Sequence, residues 1–114
     1  MARRGERVAP PPAPGEWDLR FGERGAAEGW DQLSAEAPGP ALAAWMALRT
    51  DPRRRSERQH PLKGDLATRS IGGRQLDQWQ YEVTGAGRIW YCIDDDRRTV
   101  LMALARVGHP AKTD

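Results

Sequence analysis

The chain carries one cysteine, Cys92, in 114 residues. A lone thiol cannot close an internal disulfide, and no other Cys or His stands at metal-ligand spacing from it. Cys92 falls in a stretch that reads as a strand, so it is expected as a small buried residue, which fits a reducing cytoplasm. Long apolar runs are also lacking. None approaches the ~20 residues that a membrane-spanning helix needs. The N-terminus has arginines but not the apolar stretch of a secretory signal. No Cys/His metal constellation and no Ser–His–Asp arrangement is visible. Gly85-Ala86-Gly87 sits in a hairpin turn rather than between a strand and a helix, so it is no nucleotide fingerprint. Neither a metal nor another cofactor is expected.

What is present is the balance of one soluble globular domain, with 30% charged and 39% hydrophobic residues. The net charge is only +2 although the pI is near 9.1, because the positive charge is local. From Arg49 to Lys63 six basic side chains face two acids, an excess of +4. Arg3, Arg4 and Arg7 form a second cluster, beside Glu6. Such clusters are ordinarily solvated surface, and they can also mark a site for phosphate or an acidic partner.

Residues 1–15 read as a disordered Pro/Arg-rich tail. Pro10-Pro11-Pro12-Ala13-Pro14 supports neither a helix nor a sheet ladder. Trp17-Asp18-Leu19-Arg20-Phe21 alternates cleanly and predicts a short first strand. Glu23 to Ala37 predicts a helix with Ala26, Ala27, Trp30 and Leu33 on one face. Pro38-Gly39-Pro40 ends it, and Pro40 suits the first turn of a second helix. There Leu42, Trp45, Met46 and the alkyl stem of Arg49 share a stripe expected to pack in the core. Arg53 to Arg74 reads as a long, polar, basic connection.

The last third reads as three consecutive antiparallel strands. Gln75 to Val83 puts Trp79, Tyr81 and Val83 on one face, and Gln78, Gln80 and Glu82 on the other. Arg88 to Ile93 follows a glycine turn and is dense in aromatic and β-branched residues. Thr99 to Val107 follows the Asp94-Asp95-Asp96 turn and is apolar on both faces, as an interior strand would be. The order β-α-α-β-β-β predicts an α+β fold, an antiparallel sheet with a helix hairpin on one face. The other face would be polar and concave, carrying Gln78, Gln80, Glu82 and Arg88.

This order, with several phrases, resembles the RelE/ParE toxin superfamily of bacterial type II toxin–antitoxin systems. The phrases are Pro61-Leu62-Lys63-Gly64-Asp65-Leu66, Gly87-Arg88-Ile89-Trp90-Tyr91, Ile93-Asp94-Asp95-Asp96 and Val107-Gly108-His109. The likeness spans roughly residues 17–110, within a toxin-like domain expected over 16–114. It implies a cytoplasmic toxin bound by a cognate antitoxin. One branch is a ribosome-dependent endoribonuclease that cleaves mRNA without a metal; another poisons DNA gyrase by protein contact. Carried over by position, Lys63 would hold phosphate. Arg88 and Arg106 would be the strand arginines of the site, and His109 would protonate the leaving group. Glu82, on the open face, is the candidate base. Arg53, Arg54, Arg55, Arg58, Lys63 and Arg74 are the candidate RNA-binding residues. Two departures stand out. Gln80-Tyr81-Glu82 holds no arginine where ribonuclease members often have one, and the terminal tyrosine after the Gly-His phrase is missing. Both favour the alternative of a non-catalytic binding module of the same fold.

Overall fold

Period-2 alternation and two helical stripes assemble into an α+β architecture. The computed structural model describes residues 3–108. The elements are β1 (Asp18–Phe21), α1 (Arg24–Glu36), α2 (Pro38–Thr50), β2 (Gln59–Pro61), β3 (Thr68–Ile71), β4 (Arg74–Glu82), β5 (Arg88–Asp94) and β6 (Thr99–Arg106). A single 3-10 turn at Gly64–Leu66 separates β2 from β3. The strands form one sheet in the order β1-β6-β5-β4-β2, with β3 also paired to β4.

The sheet is mixed, which corrects the expectation of a purely antiparallel one. β1 lies parallel to β6, with Leu19 opposite Val100 and Phe21 opposite Met102. The reason is topological. β1 joins the sheet beside the last strand rather than the next one, so no hairpin dictates its direction. The long polar connection is also corrected. It contains β2 and β3, which lie end to end along one edge of β4, with Gln59 opposite Tyr81 and Thr68 opposite Asp77. Short polar edge strands lack the hydrophobic alternation that announces a strand.

The helices cover one sheet face. Ala26, Ala27 and Leu33 of α1 and Ala44 and Leu48 of α2 share a core with Trp79, Ile89, Tyr91, Val100 and Met102. α1 comes very close to β6. A Cβ on Gly29 would collide with the carbonyl oxygen of Ala105 and stand 2.8 Å from its carbonyl carbon. On α2 the buried residues are Ala41, Ala44, Leu48 and Arg49; of the expected stripe Arg49 is inside and Trp45 packs against the core, but Leu42 and Met46 do not turn inward. Leu42 and Met46 are 56% and 53% exposed. Small alanines let the helix backbone approach the sheet, and close approach won over the bulk of the alternative face.

Residues 5–8, within the segment expected as a disordered tail, run along the outer edge of β1. Val8 N–H donates to the Leu19 carbonyl (2.7 Å) and Gly5 N–H to that of Phe21 (2.7 Å). Val8 is buried in the core. Arg49, counted in the basic cluster and expected to lay its alkyl stem in the core, is buried and anchors the following prolines. Its guanidinium lies 4.1 Å from the Trp45 ring centroid and donates to Glu16 (2.6 Å) and to the Pro11 carbonyl (3.2 Å). A pairing edge and a buried cation thus order a segment whose composition alone supports no element.

Candidate functional site

The sheet face away from the helices is closed at one end and open at the other. At the closed end β3 curls inward. Ile71 packs with Leu76, Cys92, Leu101 and Ala103 in a second small core. Arg69 spans from β3 to Glu23 (3.7 Å), just beyond β1. Gln78, expected on the open surface, is 1% exposed. It pins the loop before β3, donating to the Leu66 carbonyl (2.8 Å) and accepting from Arg69 (2.8 Å). Its amide is consumed by the loop and is not available to a ligand.

At the open end two rows cross the sheet. His60, Gln80, Trp90 and Leu104 are register partners on β2, β4, β5 and β6. One step further, Glu82, Arg88 and Arg106 are aligned on β4, β5 and β6. The rows are two residues apart along each strand, about 7 Å. Arg58 closes the second row at the sheet edge, where its guanidinium donates to the Glu82 carbonyl (3.1 Å) and its own carbonyl accepts the Glu82 amide (2.7 Å). Arg88 donates to the Glu82 carboxylate at 2.8 Å. Arg106 is exposed and has no ion-pair partner among the described residues. Three arginines against one glutamate leave this row positive.

Arg106 reaches the row because β6 is irregular. Tyr91 pairs with Met102, yet Trp90 pairs with Leu104, so Ala103 is an extra residue opposite that step. Without this bulge, regular pairing would set Ala105 opposite Arg88 and turn Arg106 to the helix side. With it, Ala105 faces α1 and Arg106 stands beside Arg88.

The remaining sequence-selected residues divide by position. Arg53 binds Asp95 (2.7 Å) and Asp77 (3.2 Å). Arg74 binds Asp94 (2.9 Å) and Asp96 (2.7 Å). Arg55 lies over the Trp79 ring, 5.6 Å from its centroid, on the helix side. Arg54 is exposed beside them. Asp77 is five residues from Glu82 along β4 and on the opposite face, so Arg53 stands about 17 Å from the open row; Arg74 shares the face of Glu82 but lies eight residues away along β4, about 27 Å. They do not form one surface with Arg88 and Arg106. Hydrogen bonding to Asp95 and Asp77 outweighs partial burial and raises the Arg53 guanidinium above its usual value; the group is committed to the acidic turn. Lys63 is exposed in the loop whose neighbour Leu62 donates to the Gln78 carbonyl (3.0 Å), at the rim between the two regions. His109 lies outside the described residues.

Sequence reasoning missed His60 and Trp90 as members of the site. His60 is half-buried, with Nδ1 3.2 Å from the Pro61 carbonyl oxygen. A proton on Nδ1 would make that contact a hydrogen bond and leave Nε2 to accept. Nothing in the local sequence distinguishes His60, because β2 carries no strand signature; only its pairing with Gln80 places it here. Trp90 Nε1 donates to Gln80 Oε1 at 2.9 Å, which fixes the indole across the face. No protein-family model, no curated protein and no solved structure matches the chain.

Proposed function

We propose that the chain is the toxin component of a type II toxin–antitoxin pair with a RelE-like fold, and that the open end of its sheet acts on RNA. The observation that carries this reading is the Arg88–Arg106 cross-strand pair beside Glu82, one register step from His60. Two guanidinium groups on adjacent strands repel unless an anion shares them. Glu82 serves Arg88, and a phosphate serves Arg106 with bidentate geometry. In the reaction this arrangement suits, the RNA 2′-oxygen bonds to the adjacent phosphorus as the bond to the 5′-oxygen breaks. Glu82 takes the hydroxyl proton once phosphate competes for Arg88. An imidazole protonated on both nitrogens gives the proton of its free nitrogen to the 5′-oxygen. His60 supplies it from the open face, and His109 is the alternative. The arginines stabilise the charge that builds on the phosphorane. The products are a 2′,3′-cyclic phosphate and a free 5′-hydroxyl. The chemistry needs only side chains, and the fitting partners are an antitoxin and mRNA on the ribosome, in the cytoplasm.

The second reading is a non-catalytic module that works by protein contact, with gyrase as the target. The Gln80–Trp90 hydrogen bond favours it, because it occupies the middle of β4 where the ribonuclease branch often has an arginine. Induced expression in a bacterial host, with growth and transcript integrity followed together, separates the two. Growth arrest with cut transcripts, abolished by Arg106→Ala and Arg88→Ala, supports the nuclease. Arrest with intact transcripts moves the target to gyrase, read by a supercoiling assay. Unimpeded growth with intact transcripts defeats the toxin reading.

A further inference from the structure

The chain has five tryptophans, and four of them, Trp17, Trp30, Trp45 and Trp79, pack in or against the main core. Trp90 belongs to neither core cluster. It is half-buried on the open face, opposite Leu104, and its ring is held by Gln80 at 2.9 Å. The indole stands outside both cores and is locked in one orientation by a hydrogen bond to its edge. It is pre-organised for something that arrives from solvent.

The surroundings say what arrives. Arg88 and Arg106 stand one register step away on the same face, at a separation like that from a nucleotide's phosphate to its base. Leu104 flanks the ring and supplies apolar surface without a competing charge. An aromatic face beside a positive row is the arrangement that binds single-stranded nucleic acid, because every base has a π-face and every linkage a charge. A protein partner would equally use an exposed indole, but it gives no reason for the adjacent row of arginines to be aligned by a β-bulge.

We propose that Trp90, held by Gln80, is a stacking platform for one nucleobase of a single-stranded RNA whose phosphate is taken by Arg88 and Arg106. The inference rests on the RNA reading above and deepens it. Trp90 is a positioning residue: it sets which nucleotide lies over the reactive row and takes no part in bond making. The Gln80 hydrogen bond uses the indole edge and leaves the ring face to the base.

The test compares two labelled oligonucleotides of equal length by fluorescence anisotropy at low salt, one oligouridylate and one abasic at every position. Wild-type protein should bind the oligouridylate more tightly. Trp90→Ala should weaken oligouridylate binding about 5- to 150-fold, the loss of one stacked base, and leave abasic binding unchanged. Trp90→Phe should recover most of the difference. Gln80→Ala keeps the indole and frees its orientation, so it should lose part of the preference while the fold, read by circular dichroism, is intact. Arg106→Ala should weaken both oligonucleotides and lower the salt dependence by about 0.7 in log–log slope. If wild type binds both oligonucleotides equally and Arg106→Ala weakens both, the phosphate row stands and the platform is refuted. If wild type binds neither, the RNA reading falls and takes the platform with it.

Discussion

Replacing Gly29 with alanine should destabilise the protein, although alanine is the better helix former. The gain from propensity is about 1 kcal/mol. Against it stands a Cβ that would collide with the carbonyl oxygen of Ala105 and lie 2.8 Å from its carbonyl carbon. Both atoms are backbone of β6, an interior strand between β1 and β5, so neither can turn aside as a flexible side chain would. α1 must lift, loosening Ala26, Ala27 and Leu33 from the core. Overpacking of this kind costs about 1–3 kcal/mol and occasionally more. Because the obstacle is backbone, the upper part of that range applies, and the net loss should be about 1–2 kcal/mol. Gly25 is the internal control. It lies four residues earlier on the same helix face, and a Cβ there meets nothing within 4 Å. Gly25→Ala should therefore be neutral or mildly stabilising. Urea denaturation of both variants, with equal m-values confirming a two-state comparison, reads the difference. Gly29→Ala at or above wild-type stability would refute the close packing of α1 on Ala105. The same variant carries a functional consequence, because lifting α1 relaxes the strand segment that presents Arg106.

Two other expectations follow from buried and paired groups. Burial pushes the Cys92 thiol up to about 12, and Leu76, Ala103, Ile71 and Leu101 enclose it. The folded protein should not react with an aromatic disulfide reagent at mildly alkaline pH and should react stoichiometrically once unfolded; rapid labelling of the native protein would contradict the second core. At Asp18, partial burial would raise the carboxyl, but hydrogen bonds from Arg7 (2.7 Å) and Arg20 (2.8 Å) outweigh it and hold the group below its usual value. A depressed carboxylate stabilises the fold above its unfolded value of about 3.9 and loses that contribution as pH falls through the folded value. Asp18→Asn should thus be less stable than wild type near neutrality, and the gap should close in strong acid. A gap independent of pH in urea midpoints would show that the ion pairs at the N-terminal edge contribute nothing.

Much of the fold is legible from local pattern. Alternation at Trp79-Gln80-Tyr81-Glu82-Val83 and apolarity at Arg88–Asp94 and Thr99–Arg106 place three strands within a residue or two of their observed ends. Ala26, Ala27 and Leu33 lie inward as their spacing requires. Cys92 is buried, and Glu82 and Arg88 share the open face as the strand period dictates. These features depend on what each residue's neighbours are, and the sequence carries that directly.

The site is another matter. Charge density singled out Arg53, Arg54, Arg55 and Arg74 together with Arg58, yet Arg53 and Arg74 are spent on the acidic turn and only Arg58 reaches the open row. Charge along a chain says nothing about where its counter-charges fold. Only the alkyl stem of Arg49 was expected inside, yet its guanidinium is buried too, held by Trp45 and Glu16. His60 enters the site only through long-range pairing of β2 with Gln80. By itself, then, the sequence determined β1, β4, β5 and β6, the two helices and which face of β4 and β5 is polar, because those follow from periods of two and 3.6 residues; the edge strands β2 and β3 carry no such period. Tertiary structure decided which arginines are free and that Arg106 stands beside Arg88. The deciding feature is one extra residue at Ala103, a bulge that exists only in the pairing of β6 with β5 and so leaves no mark in the period of either strand.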